Sequence, residues 1–230
     1  MDLLWSPIFW VGLVKIIWIN IILSGDNAVV IALAARSLPP AQQRRAILLG
    51  SGAAVLMRVA LTLIAARLLS MPYLRVAGGL LLLWIGFQLL GQEQEGDGVM
   101  EEQGNLMAAV RTILLADLVM SLDNVIAVAA AARGDTVLLI LGLVISIPLV
   151  VFGSTLIMKI MERYPVIVTF GAALIGWVAG ETIVGDQMLL PVLTEHPWLH
   201  YGAAFAGATG VIVIGKYLSR RANDQSPRPA

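Results

Sequence analysis

Asn20-Ile21-Ile22-Leu23-Ser24-Gly25-Asp26-Asn27 places a carboxylate and three other polar side chains inside a run, residues 9–35, that is otherwise apolar enough to cross a membrane. The pattern returns at Asp117-Leu118-Val119-Met120-Ser121-Leu122-Asp123-Asn124 with a constant offset, 20 to 117, 24 to 121, 26 to 123 and 27 to 124. On a helix, positions i, i+4 and i+7 share a face. Asn20, Ser24 and Asn27 therefore form one polar stripe, and Asp117, Ser121 and Asn124 a second, with Asp26 and Asp123 about 100° round from the ends of the stripes. Gly25 is a place for the first helix to loosen, which membrane proteins tolerate where backbone lines a cavity.

The surrounding composition fixes the solvent. Hydrophobic residues make up 59% of the 230 and charged residues 13%, against roughly 25% charged in a soluble domain. The chain reads as an all-α, polytopic membrane protein, because the apolar runs are too long for a β-barrel's alternation and helices satisfy the backbone in lipid. A net charge of zero gives no reason to expect nucleic acid, and the absence of Cys excludes disulfides and thiolate sites. The first apolar run has no basic residue before it and no cleavage pattern after it, so it is expected to be retained.

A template of about 20 apolar residues per crossing gives about seven transmembrane helices, over 9–35, 46–69, 73–91, 112–132, 137–158, 166–184 and 201–218. With the N-terminus outside, the cytoplasmic side receives Arg36, Arg44, Arg45, Arg111, Lys159, Arg163, Lys216, Arg220, Arg221 and Arg228; the outside receives Lys15, Arg67, Arg75 and Arg133. The positive-inside rule thus favours N outside and C in the cytoplasm. The third helices also align, Gly78 with Gly171, Trp84 with Trp177 and Gln88 with Glu181. Each half has an odd number of crossings, so the halves are expected to be inverted repeats, as in many secondary transporters. The expected organisation is a three-helix repeat over 1–91, an acidic cytoplasmic linker over 92–111, an inverted three-helix repeat over 112–184, an outer loop and extra C-terminal helix over 185–219, and a disordered cytoplasmic tail over 220–230.

An Asp at a helix centre costs roughly 2.5–3.5 kcal/mol to insert. Asp26, Asp117 and Asp123 are therefore expected to face one another, and to need a cation or a proton between them. Arg58 is the one basic residue deep in the bilayer. A structural reading pairs it with one Asp and leaves Asn and Ser as helix glue, but one Arg does not balance three carboxylates. Carboxylate, amide and hydroxyl oxygens suit Mg²⁺, Ca²⁺ or Mn²⁺ better than Cu(I) or Zn²⁺. Met120 is read as packing, His196 and His200 as surface residues despite their i, i+4 spacing, and Glu181 as either a coupling carboxylate or a solvated one. No nucleotide motif or nucleophile-base pair is visible, so neither ATP-driven transport nor enzyme activity is expected, and no cofactor.

At Ser24-Gly25-Asp26-Asn27-Ala28-Val29-Val30 and Ser121-Leu122-Asp123-Asn124-Val125-Ile126-Ala127 the chain resembles the TerC family of integral membrane proteins, in its compact YjbE-type branch. The resemblance implies a bacterial inner-membrane transporter of metal ions, with Mn²⁺ export and tellurite resistance among the family's associations, and a kinship with LysE-type exporters. It maps the family's acidic residues onto Asp26, Asp117 and Asp123, with Asn20, Asn27 and Asn124 beside them. Ser24 and Ser121 complete the expected ligand set for a transported divalent cation. Export is expected because a carboxylate, Asp117, stands at the cytoplasmic rung where the first half has Asn20. Proton antiport is a coupling that vacated carboxylates would permit. The partners are membrane lipid and the ion, with homo-oligomerisation left open. Three alternatives remain: an exporter of amino acids or small organic cations, a non-transporting scaffold in a metal or tellurite stress response, and an intramembrane enzyme.

Overall fold

The computed structural model describes residues 7–68, 71–91, 105–132 and 135–225. Residues 92–104 of the expected linker and 226–230 of the expected tail lie outside the described residues, as do the side chains of Asn20 and Asp123. The described residues form nine helices and no strand: α1 (Pro7–Leu23), α2 (Gly25–Arg36), α3 (Pro40–Leu68), α4 (Leu74–Gly91), α5 (Leu106–Ala132), α6 (Thr136–Arg163), α7 (Val166–Val184), α8 (Leu190–Glu195) and α9 (Trp198–Gln225). Parts of α3, α4, α6, α7 and α9 are long and apolar enough to cross a membrane, and α1 adds the shorter apolar stretch Phe9–Ile19. α5 has 27 residues, about 40 Å of helix, and carries Arg111, Asp117 and Asp123 along it.

The outer faces belong to lipid. Phe152, Phe170 and Phe205 are 69%, 72% and 67% exposed, with Trp10, Trp18 and Leu56 similarly uncovered, large apolar surface that a water-soluble protein would have to hide.

Where helix ends depart from the hydropathic estimates by more than one residue, the helix is the longer. α3 starts at Pro40 where 46 was expected, α5 at Leu106 where 112 was, and α6 runs to Arg163 where 158 was. The last six residues of the expected linker are therefore helical. α9 spans Trp198–Gln225, into the stretch from 220 expected to be disordered, and α8 occupies the expected outer loop. Counting apolar residues measures the thickness of the oily layer. Good helix formers such as Gln42, Gln43, Arg44 and Arg45 carry the helix beyond it.

Packing directions follow from which residues meet. Gly12 and Gly142 sit against Leu138 and Ile16, so α1 and α6 run parallel; Gly50 meets Ile113 and Arg58 meets Ser121, so α3 and α5 run parallel too. Gly79 meets Ala179 and Ile183 while Gly86 meets Ile175, which makes α4 and α7 antiparallel. α7 and α9 are antiparallel as well, and approach closely. A Cβ on Gly176 or Gly207 would overlap the other's carbonyl, and one on Gly180 that of Ala203. Gly176 and Gly180 thus form a small-xxx-small stripe, the device by which membrane helices gain van der Waals contact without a hydrophobic driving force.

α4 and α7 are also joined at one end. Tyr73 holds a left-handed φ of 61°, costly for a side chain other than Gly. Its N–H donates to Asp186 Oδ1 at 3.1 Å, while the N–H groups of Arg75 and Val76 donate to Asp186 Oδ2 at 3.1 and 3.4 Å. Met188 N–H donates to Oδ1 at 3.0 Å. In return an Arg75 Nη1–H donates to the Gly185 carbonyl at 2.7 Å. A carboxylate caps the start of α4 and a guanidinium the end of α7, each favourable to the local helix dipole. Burial raises the Asp186 carboxyl, but the N–H groups of Met188, Tyr73, Val76 and Arg75 outweigh it and hold the group below the ordinary carboxylate range.

Two predictions rest on this packing. Gly180→Leu should lower the melting temperature in detergent by detaching α9, since overpacking costs about 1–3 kcal/mol even where side chains can yield, whereas Gly210→Ala, with open space around it, should not. Asp186 has a depressed pKa, so its contribution is complete above the unfolded value of about 3.9 and is lost as pH falls through the folded value. Asp186→Asn should therefore melt below wild type at pH 7, with the gap narrowing toward pH 3 in pH-dependent thermal unfolding.

Candidate functional site

The first motif interrupts its helix. Ser24, with φ −109° and ψ 5°, separates α1 from α2, and its carbonyl already accepts the Ala28 N–H at 2.9 Å, so α2 begins at once. The loosening expected at Gly25 is found one residue earlier, with Gly25 opening the new helix. A helix end leaves carbonyls without intrahelical donors. Here the Leu23 carbonyl accepts an N–H of the Asn124 amide at 3.1 Å, so the second motif repairs the break in the first.

The reverse repair has no acceptor. α5 runs unbroken through its motif, and the carbonyl of Met120, which corresponds to Leu23, belongs to an intact helical turn. Asn27 corresponds to Asn124, yet both its Oδ1 and its Nδ2 are buried without a hydrogen-bond partner.

Arg58, 4% exposed, reaches from α3 into the gap between the motifs. Its Nη2–H donates to Asp117 Oδ1 at 2.5 Å, its Nε–H to Ser121 Oγ at 3.0 Å and its Nη1–H to Ser24 Oγ at 3.3 Å. The Ser121 hydroxyl in turn donates to Asp117 Oδ2 at 3.1 Å. One guanidinium thus gathers polar groups from both motifs, and the partner that the sequence left unnamed is Asp117.

Beside this cluster lies a cavity of about 20 Å³ lined by Ser24, Asn27, Ser51, Arg58, Asp117 and Ser146 together with Ile31, Ala54, Val55, Ile147 and Val150. That is room for about one water or one ion. Ser51, 2% exposed, has a hydroxyl without a partner. Ser146 donates to the Leu143 carbonyl at 2.6 Å, two residues before Pro148 interrupts the α6 ladder.

Of the expected ligands, Ser24, Asn27 and Asp117 line the cavity, Ser121 backs it, and Asn124 is turned to Leu23. Asp26 stands at the start of α2, accepting the Asn27 N–H at 2.8 Å, near enough to Arg58 and Asp117 to interact with both. The side chains of Asn20 and Asp123, two further expected ligands, lie outside the described ones. Among the described residues no three acidic, His or Cys side chains gather as a metal cluster. Met120 is 5% exposed within the apolar core. His196 caps the end of α8, and His200 Nε2 lies 3.4 Å from Glu181 Oε1 at a partly exposed position.

Sequence reasoning missed Ser51 and Ser146. Their signal was faint: lone hydroxyls in apolar runs, related by 51 to 146, an offset between those of the first and third helices. Asp186 was missed because a carboxylate bonding distant backbone N–H groups leaves no pattern.

The fold and this centre define an integral, multi-pass membrane protein with a charge-paired polar site buried among its helices. The TerC description, integral membrane protein TerC family, matches residues 5–223. The chain belongs to the TerC family of integral membrane proteins. It is 44% identical over 188 residues to the uncharacterized membrane protein YjbE of Bacillus subtilis, covering 82% of this chain and 86% of that one. It is 26% identical to the membrane protein YceF of the same species over 77% of this chain and 72% of YceF. The UPF0053 protein YegH of Escherichia coli is 28% identical over 73% of this chain, which spans 35% of YegH. No solved structure matches.

Removing one member of a buried ion pair strands the other charge and costs about 3–5 kcal/mol. Arg58→Leu and Asp117→Leu should each destabilise by that order, and the double substitution by less than the two losses together. A double-mutant cycle on unfolding in detergent checks this; additive losses would contradict the pairing.

Proposed function

We propose that the chain is a secondary transporter of the bacterial inner membrane that exports a divalent cation, Mn²⁺ foremost, from the cytoplasm. The observation that carries this reading is the one-atom cavity in which the buried Asn27 amide and Ser51 hydroxyl lack partners beside the Asp117 carboxylate. A buried polar group without a partner costs about 1–3 kcal/mol, and a dehydrated cation ligated by Asn27 Oδ1, Ser51 Oγ and Asp117 would remove that cost for the oxygens. The lining offers hard oxygen donors and neither imidazole nor sulfur, the chemistry of Mg²⁺, Ca²⁺ and Mn²⁺. Asp26, Asp123, Asn20, Asn124, Ser24 and Ser121 complete the proposed ligand set as the ion moves along the motif helices.

Seven crossings, an outer N-terminus and two inverted three-helix halves belong to the same proposal. Packing directions support the inversion. If α1 with α2, α3 and α4 form one half and α5, α6 and α7 the other, opposed halves require α3 parallel to α5, α1 parallel to α6 and α4 antiparallel to α7. Those are the directions described above. Gly78 of α4 also packs on Val119 of α5, and Gly171 of α7 on Val29 of α2, each third helix resting on the other half's first. Rocking one half against the other would alternate access.

An amino-acid exporter is disfavoured by the size of the cavity. The scaffold reading has one observation in its favour: Arg58, Asp117, Ser24 and Ser121 make a satisfied polar knot of the kind that joins membrane helices. Mn²⁺ flux in proteoliposomes separates the two. Wild type should carry Mn²⁺, and Asp26→Asn or Asp123→Asn should slow it at least about tenfold. Absence of flux in wild type, or unchanged flux in both variants, would favour the scaffold.

A further inference from the structure

We propose that Arg58 is a tethered stand-in for the transported cation, occupying Asp117 when the carrier is empty and giving way to the ion when it loads. The inference deepens the transport reading and rests on it.

Three of the expected ligands are already engaged. Both Asp117 oxygens are taken, one by the Arg58 guanidinium and one by the Ser121 hydroxyl, and the hydroxyl oxygens of Ser24 and Ser121 accept from the same guanidinium. The cavity beside the pair has room for the ion, but a cation on Asp117 would stand directly against the Arg58 charge, and that like-charge repulsion drives the guanidinium off the carboxylate. The next stopping place is built beside it: the Asn27 amide and Ser51 hydroxyl, 3% and 2% exposed, face the cavity with no partner. Two kinds of polar group thus stand in contrasting states, one set saturated by Arg58 and one set unmet.

The asymmetry of the halves fits this division. Arg58 lies in the first half, on α3; at the offset that relates Ser51 to Ser146 its counterpart is Gly153, so the second half has no arginine at the matching position. A single swinging cation can then serve a single carboxylate. Electrostatics supplies the purpose. An alternating carrier must return empty, and an uncompensated carboxylate at membrane depth resists that passage. With Arg58 on Asp117 that carboxylate is already neutralised in the empty carrier, whereas in the loaded state the ion performs that task. The same guanidinium competes with the ion for Asp117, so compensation is obtained at the expense of affinity. Asp26, at the start of α2, is a described carboxylate close enough to Arg58 to interact with it.

Net efflux and exchange separate these roles, because exchange of Mn²⁺ for Mn²⁺ never requires the empty carrier to reorient. Proteoliposomes are loaded with Mn²⁺ and followed with radioactive Mn²⁺, with and without Mn²⁺ on the far side. Arg58→Gln should slow net efflux at least about tenfold while leaving exchange within about threefold of wild type. Its Mn²⁺ dissociation constant, by equilibrium dialysis of the detergent-solubilised protein, should fall at least about tenfold. Arg58→Lys keeps the charge without the planar fork and should recover net efflux over Arg58→Gln; it also serves if the Gln variant does not fold. Parallel loss of net efflux and exchange in both variants would overturn the inference and leave Arg58 a structural residue, as would unchanged net efflux in Arg58→Gln. Absence of both modes in wild type would instead remove the transport reading itself.

Discussion

The Arg58–Asp117 ion pair is the constraint around which the interior is arranged. A guanidinium and a carboxylate at membrane depth are each expensive to place, and they are stable together only if the remaining donors and acceptors are met. Ser24 and Ser121 meet them, one from each motif. That requirement draws α3 and α5 into close parallel contact and holds the α1/α2 break against both. Around the pair the helices are free to use small residues and aliphatic packing, as α7 and α9 do through Gly176, Gly180 and Gly207.

The two motifs are alike in sequence and unlike in structure because one helix breaks and the other does not. Gly25 stands where the second motif has Leu122, and glycine is the poorer helix residue by about 1 kcal/mol. The break frees the Leu23 carbonyl, which Asn124 takes. The intact α5 offers nothing equivalent, and Asn27 is left facing the cavity. A single Gly/Leu difference thus propagates into one satisfied amide and one unsatisfied amide, and the unsatisfied one lies beside the ion pair.

Much of this was legible in the chain. The membrane setting followed from composition, the pairing of polar stripes from a constant offset, and the loosening near Gly25 from the conformational habits of glycine. That Arg58 would meet an Asp was legible; which Asp was not, because depth along a helix does not reveal rotation about it. Helix ends were misjudged wherever polar helix formers such as Gln42 or Arg163 continue past the apolar run. Ser51 and Asp186 were invisible for a different reason. Their importance comes from what surrounds them across more than a hundred residues of chain for Asp186, and from the absence of a partner for Ser51, and neither relation is written in local sequence.

The central claim is that one carboxylate serves the arginine and the ion in turn. A structure of the protein in lipid with Mn²⁺ bound, the ion located by its anomalous scattering, tests it most directly. The account predicts Mn²⁺ in the cavity against Asn27, Ser51 and Asp117, with the Arg58 guanidinium swung off Asp117. Mn²⁺ bound elsewhere along the motif helices, with the Arg58–Asp117 pair intact, would contradict it.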